Sequence, residues 1–397
     1  MPSVDSIVIG GGVIGTSIAY HLARFGAGSV ALFERGQLGN GTTAQSSGIL
    51  RSHYSVPENV VLARRSWDIF AGFADYLDDA EASCGLVRCG YLIVAPEGER
   101  ASALCASLAN QRIQGIRADE IDRKQAGELL PIANFDDAAV IGYEPNAGFA
   151  DPYLVTTAFA RAARRLGARI NERVNVTGLT RSGHRVTGVQ TSDGDYSAGI
   201  IVCAQNIWTA DLAKWTRLTL PLTSERHTVL TLKAESPYTN LMPVFKDLAS
   251  PGLLYGRSYG GNRMLVSEGI AGEALSAIDT IDTTQADVSL DTVAEIGAQV
   301  ATRFRAYANA GLVSSWTGVY DVTPDWNPVL GSINGVDGLL LAYGFSGHGF
   351  KLSPMVGRLL AQLALGSATE VSLAPYALER FASGRLLRGR YGSGAVS

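Results

Sequence analysis

The sequence predicts an α/β protein of two domains: a parallel-sheet unit assembled from separated stretches of chain, and an inserted α+β unit with a mainly antiparallel sheet. Three observations predict it. Ile7, Val8 and Ile9 form the β-branched run that a strand buried on both faces needs, and it leads straight into Gly10, Gly12 and Gly15 at G-x-G-x-x-G spacing. Two further apolar runs, 200–203 and 338–343, lie far downstream and read as strands returning to that sheet. Between them, 221–267 is rich in β-branched and aromatic residues broken by frequent turns, the pattern of antiparallel strands.

The glycine turn organises the first domain. Gly10 permits the tight turn, and Gly12 lets backbone approach a pyrophosphate. Gly15 lets the next helix pack close, so that its first N–H groups face phosphate charge. Val13 and Ile14 lie within the turn, and Ile14, Ile18 and Leu22, with Ala19 and Ala23, give helical spacing behind it. Val30–Phe33 is the next strand. It ends on Glu34, about 20 residues past the glycines, where a carboxylate accepts both ribose hydroxyls, and Arg35 follows. The set reads as a Rossmann-like dinucleotide site and leaves the choice between FAD and NAD open. Glycines, His21 and Arg24 interrupt the apolar run, so neither a leader nor a membrane span is expected.

Composition removes several classes. A chain of 397 residues exceeds what one core usually serves, and 46% hydrophobic with 18% charged residues excludes disorder. A net charge of −4 gives no basis for a nucleic-acid partner. Cys84, Cys89, Cys105 and Cys203 show neither redox nor zinc spacing, so no metal site is expected. Buried free thiols in a reducing cytoplasm are the expectation.

Along the chain, 39–54 is small and hydroxyl-rich, with Thr42, Thr43, Ser46, Ser47, Gly48 and Ile49 suited to wrapping phosphates and a flat ring. A helix is predicted over 57–76, a strand over 87–94, and helices over 101–111, 119–130 and 153–167. Strands over 173–179, 186–191 and 196–204 follow, and Val174 stands where the chain can pass an adenine edge. A turn into a helix begins at Gln205, and a long helix is predicted within 283–308. A strand from Trp316 leads to a tight loop, 338–343 is the last buried strand, and a helix spans 355–365. The basic, glycine-rich 385–394 reads as a frayed tail. This order assigns 1–84, 140–219 and 325–397 to the nucleotide domain and 85–139 and 220–324 to the substrate domain.

Several motifs in order carry a family resemblance: Gly10-x-Gly12-x-x-Gly15 with Glu34, the 42–48 loop, and Gly148-Phe-Ala-Asp-Pro. Val202-Cys-Ala204, Thr323-Pro-Asp with Pro328 and Gly331, and Phe345-Ser-Gly-His-Gly-Phe-Lys351 complete the set. Over nearly its whole length the chain resembles the glycine oxidase and sarcosine oxidase branch of FAD-dependent amine oxidoreductases, in the D-amino-acid oxidase superfamily. The resemblance implies FAD, with its ADP half on the N-terminal unit and its ring at the domain interface near Gly347, His348, Gly349, Phe350 and Lys351. Ala204, Trp208 and Gly318 join the cofactor candidates. Some relatives attach FAD through a cysteine where this chain has Gly318, and others through a histidine where it has Ala44-Gln45-Ser46; non-covalent FAD is therefore expected. Asn206 replaces a glycine of many relatives, and asparagine tolerates a left-handed turn.

Arg51 and Lys351 match a pair that holds the substrate carboxylate in sarcosine-oxidase-like enzymes. An arginine fork grips bidentately and a lysine adds a point charge, which together orient a substrate over the flavin. His53, Tyr54, His227, Tyr255, Tyr320 and Tyr343 are candidates to line that pocket, and no catalytic base stands out. The resemblance implies oxidation of the C–N bond of a small carboxylate-bearing amine, a secondary or cyclic one first. A 2-hydroxy acid, or a role as flavin subunit of a larger complex, stays open. A lysine that aids oxygen in sarcosine-type oxidases has no match in 261–268, so the acceptor is oxygen or another carrier. A homo-oligomer or a partner subunit is equally compatible.

Overall fold

The structure, a computed structural model, describes residues 1–235, 240–275 and 287–390. One sheet has the strand order Val176–Ser182, Arg185–Thr191, Val336–Tyr343, Gly194–Cys203, Ser3–Ile9, Val30–Glu34, Arg169–Glu172, with Val329–Ile333 antiparallel on Val336–Tyr343. Its centre is parallel, with Val8 opposite both Val202 and Leu32, and Val202 opposite Leu340. All four are buried, which explains the unbroken apolar runs. Helix Val13–Arg24 packs between helices Pro152–Arg165 and Gly349–Ala364. At the second crossing a Cβ on Gly357 would lie 2.2 Å from Ser17 Oγ, so only glycine lets the helices approach this closely.

The second sheet runs Glu273–Ala274, Thr223–Lys233, Arg263–Ser267, Tyr255–Ser258, Val244–Asp247, Tyr91–Ala95, Val140–Glu144, Asp119–Ile121, with Gly311–Val322 along the other edge of Thr223–Lys233. It is antiparallel apart from Val244–Asp247 on Tyr91–Ala95. Val140–Glu144 pairs here, although it stands in a stretch that the sequence assigns to the first domain. A small third sheet joins Ile49–Leu50, Gly148–Phe149 and Val87–Arg88.

Several elements differ from expectation. The 57–76 helix breaks at Gly72 into Pro57–Ala71 and Phe73–Leu77. The 87–94 strand splits at Gly90, whose φ of +78° turns its halves into different sheets. Residues 119–121 are strand, because Asp122 forms a capping box with Gln125 and starts the helix there. Arg169–Glu172 is an additional strand, separated from the next by Arg173 at φ +61°. The last helix begins at Gly349, not Met355, carrying Pro354 inside it. Of the 283–308 helix, Leu290–Arg303 forms with Ser289 as cap, and 283–286 lie outside the described residues. The tail is not frayed as far as Arg390: Leu387 N donates to Asp325 Oδ2 and Arg390 N to Ser55 Oγ. Residues 391–394 lie outside the described residues. No helix among the described residues is long and apolar enough to cross a membrane.

Candidate active site

The central parallel strands end at Ile9, Glu34, Cys203 and Tyr343, and the chain beyond each end forms one wall of a cavity of about 380 Å³. Ligands of open α/β sheets bind at such carboxyl ends. Gly10 turns at φ +105°, and a Cβ there would sit 2.4 Å from Ala204 O; one on Gly15 would sit 1.9 Å from Gly10 O. The helix N-cap, Gly12, has no side-chain cap, and Val13 N donates to Thr43 Oγ1 at 3.2 Å. The two Glu34 carboxylate oxygens accept from Gly11 N and Gly36 N, both at 2.7 Å, which fixes the carboxylate beside the turn.

Gly10, Gly12, Val13, Ile14, Glu34, Arg35, Thr42, Thr43, Ser46, Ser47, Ala204, Trp208, Gly318, Gly347, Gly349 and Phe350 all line this cavity. The other expected cofactor residues stand elsewhere. Gly15 serves the helix packing, and Gly48, at φ +71°, faces Ala150 O. Asn175 and Val176 line the cavity in place of Val174, whose N–H donates to Glu34 O. His348 turns away from it, and Ile49 and Lys351 line a smaller cavity of about 50 Å³ that adjoins the first through Ser47, His227, Tyr255, Tyr320 and Gly347. Asn206 does adopt the left-handed turn, at φ +52°.

Arg51, Lys246 and Lys351 meet at the smaller cavity, beside Tyr91, Glu268 and Gly269. Arg51 follows strand Ile49–Leu50, donates to His53 O, and lies 4.7 Å over the Tyr54 ring and 5.6 Å from that of Tyr91. The buried Glu144 holds this turn by accepting from Ser52 N at 2.8 Å and His53 N at 3.0 Å; burial pushes its carboxyl up to about 7. Lys351, in the first turn of helix Gly349–Ala364, sits 5.8 Å from the Tyr54 ring. Burial, with Arg51 nearby, holds its pKa well below the ordinary lysine range. Tyr54 therefore supports both cations from behind and does not line the cavity, contrary to expectation.

His53 and Tyr343 also miss the pocket. His53 Nδ1 lies 2.7 Å from Gln111 Nε2, which turns the ring away, and burial takes its pKa down to about 3. Tyr343 is sealed in the core beneath the parallel sheet. His348 is likewise neutral, its pKa lowered to about 3 by burial. Trp326 O, 2.9 Å from its Nε2, can only accept, so Nε2 carries the proton and Nδ1 accepts from Tyr54 Oη at 3.2 Å. Tyr255 and Tyr320 do stand at the junction of the two cavities, their hydroxyls 3.1 Å apart, with His227 stacked on Tyr320 at 3.9 Å.

Residues 5–363 match the model of the FAD dependent oxidoreductase family, DAO. The chain belongs to this family. It is 29% identical to sarcosine oxidase subunit beta of an Arthrobacter species, over all of this chain and 95% of that subunit. It is 27% identical to 4-methylaminobutanoate oxidase of Paenarthrobacter nicotinovorans, covering 46% of that protein, so it spans about half of some relatives. Among solved structures, L-proline dehydrogenase from P. horikoshii superposes with TM-score 0.88 at 25% identity, covering 97% of this chain and 100% of that one. Glycine oxidase from Geobacillus kaustophilus gives 0.81 at 26% identity, with 96% and 99% covered.

As a member of this FAD family the protein is a FAD-dependent oxidoreductase, and the larger cavity fits that cofactor. Gly10, Gly12, Gly318, Gly347 and Gly349 line it with main chain, and Trp208 Nε1 and Asn206 Oδ1 are buried beside it with no partner among the described residues. Unpaired buried groups cost free energy that a polar ligand recovers. Sequence reasoning missed Lys246, Glu268, Tyr91, Glu144 and Asp321. Asp321, its carboxyl pushed up to about 7 by burial, accepts from Gly344 N at 2.6 Å and so anchors the turn that carries Gly347. The one available signal was a lysine and an aspartate adjacent inside an apolar strand, at 246 and 247.

Proposed function

We propose that the protein oxidises the C–N bond of a small amine that carries a carboxylate, with a secondary or cyclic amino acid as the preferred class. The observation that carries this reading is the meeting of Arg51 and Lys351, from opposite ends of the chain, in a buried cavity open to the cofactor cavity. A carboxylate held there offsets two charges whose burial is otherwise unfavourable. The named activities of the relatives, on sarcosine, 4-methylaminobutanoate and proline, support the amine class.

In this reading the ADP half of FAD lies on Gly10, Gly12, Val13, Ile14 and Glu34, with its pyrophosphate at the start of helix Val13–Arg24. Thr42, Thr43, Ser46 and Ser47 wrap the middle, and Gly347, Gly349 and Phe350 meet the ring end. Bound FAD supplies the acceptor for a hydride equivalent leaving the carbon beside nitrogen. Arg51 and Lys351 hold the carboxylate, while Tyr255, Tyr320 and His227 form the wall between acid group and cofactor. Burial lowers the His227 pKa to about 4, so this ring is neutral and adds no further positive charge to the wall. Gly318 lines the cavity with no side chain to form a thioether, in keeping with non-covalent FAD. The relation to a beta subunit supports a second reading, in which this chain works beside partner subunits. The four free thiols, buried at Cys84 and Cys203 but only half-buried at Cys89 and Cys105, support a cytoplasmic setting.

Anaerobic mixing with N-methyl, cyclic and D-amino acids and with 2-hydroxy acids tests the class. Bleaching of the flavin absorbance by an amine is the expected result, and bleaching by hydroxy acids alone overturns it. Admission of air then separates oxygen from another acceptor, and co-purifying chains test the subunit reading.

A further inference from the structure

The smaller cavity holds more positive charge than a single carboxylate requires. Three cationic side chains face it, Arg51, Lys246 and Lys351, against one carboxylate, Glu268. Lys246 is the unexplained member. It lies on strand Val244–Asp247 and is only 3% exposed; its Nζ lies 5.5 Å from the centre of the Tyr255 ring, and no hydrogen bond or ion pair among the described residues includes it. A Cβ on Gly269 would fall 2.0 Å from its Nζ, so the ammonium is seated against a glycine that makes room for it.

Both nearby carboxylates are engaged elsewhere. Asp247 points to the other face of the strand, as adjacent strand residues do. There it receives Arg303 bidentately, Nε to Oδ2 at 2.8 Å and Nη2 to Oδ1 at 3.0 Å. Glu268 accepts from Gln299 Nε2 at 2.8 Å. Burial and Arg51 accordingly depress the Lys246 pKa to about 7. A buried lysine without a counter-ion is costly, and the fold keeps it facing a cavity rather than apolar packing.

We infer that the substrate carries a second acidic group, and that Lys246 binds it while Arg51 and Lys351 hold the first. This rests on the reading of the cavity as the substrate site. Lys246 lines only the smaller cavity, so the cofactor phosphates do not account for it. The smaller cavity is only about 50 Å³, so such a substrate fills it together with the adjoining part of the larger cavity, which keeps the two acid groups a short spacer apart. The substrate class is thus a short amino dicarboxylic acid, N-substituted or secondary at nitrogen.

The test uses FAD-loaded enzyme and non-reacting probes: acetate, malonate, succinate and glutarate, each titrated by perturbation of the flavin absorbance. The wild type is expected to bind one of the diacids about 10- to 100-fold more tightly than acetate. In Lys246→Met that ratio falls toward one, and Lys246→Arg, which keeps the charge, restores most of it. Bound-flavin content and far-UV circular dichroism separate misfolding from lost recognition. Equal affinity for acetate and every diacid in the wild type, or an unchanged ratio in Lys246→Met, overturns the inference. Failure of the underlying reading looks different: Arg51→Met would leave acetate affinity itself unaltered.

Discussion

The two adjoining cavities are built by opposite means. The larger is walled by main chain: glycines at 10, 12, 318, 347 and 349, strand ends, and the carboxylate of Glu34 held by two backbone N–H groups. The smaller is walled by side chains brought from many elements, among them Ile49, Arg51, Tyr91, Lys246, Glu268 and Lys351. A backbone wall recognises what every member of the family holds, because phosphate and ring edges need only N–H donors and close approach. A side-chain wall can change one residue at a time, and so it sets which molecule is oxidised.

The comparison breaks most severely at Gly15. A methyl there meets Gly10 O at 1.9 Å, so the turn and the helix cannot both keep their places. Gly15→Ala is expected to lower FAD affinity about 100-fold, the upper range for overpacking at a close contact. Flavin-to-protein absorbance after gel filtration checks it; a normal ratio would show that the backbone wall is not what holds FAD. Substitution in the other wall should do the reverse. Arg51→Met and Lys351→Met are each expected to weaken carboxylate binding about 100-fold, the scale for truncating one member of a buried charged contact. Flavin content should stay at the wild-type value in both.

This contrast also explains what could be read from sequence. The glycine turn, Glu34, the 42–48 loop and the Gly347-His-Gly-Phe run are contiguous, and each has a local reason to be where it is. Lys246 and Glu268 have none: they reach one cavity only because Val244–Asp247 and Arg263–Ser267 flank Tyr255–Ser258 in the same sheet. His53 and Tyr54 misled for the same reason. They neighbour Arg51 in sequence, yet Glu144 grips the backbone of Ser52 and His53 and sends their side chains to Gln111 and His348. Pro354 concealed the true start of the last helix, which places Lys351 in its first turn, not in a loop.

A smaller effect sharpens the comparison through pH. Arg51 and Arg100 disfavour charge on Lys246, Asp247 favours it, and Glu268, Tyr91, Tyr255 and Lys351 share its cavity. With a pKa lowered to about 7, Lys246 is charged below that pH and neutral above it in the ligand-free enzyme. An acidic group prefers the charged form, so the diacid-to-acetate affinity ratio should be level below pH 7. Above it, the ratio should fall by up to about tenfold per unit. Titration of both probes from pH 6 to 9 measures this; taking the ratio removes whatever Lys351, which both probes share, contributes. A ratio that falls equally in Lys246→Met would assign the ionisation to another group.

The least effect belongs to the boundary itself. Tyr255 and Tyr320 line both cavities, and their hydroxyls, 3.1 Å apart, are the one polar contact between strands Tyr255–Ser258 and Gly311–Val322 at that junction among the hydrogen bonds of the described residues. Tyr320 is held independently by the stack on His227 and by Gly347, where a Cβ would strike its ring at 2.2 Å. Tyr255→Phe therefore removes a neutral hydrogen bond without freeing Tyr320, a change of about 1 kcal/mol or about fivefold in substrate KM. Flavin content should be unaffected, since the ring of Tyr255 still closes the wall. If Tyr255→Phe instead released flavin as readily as Gly15→Ala, the side-chain wall would be part of the cofactor's grip, and the division of labour between the cavities would fail at the place where they meet.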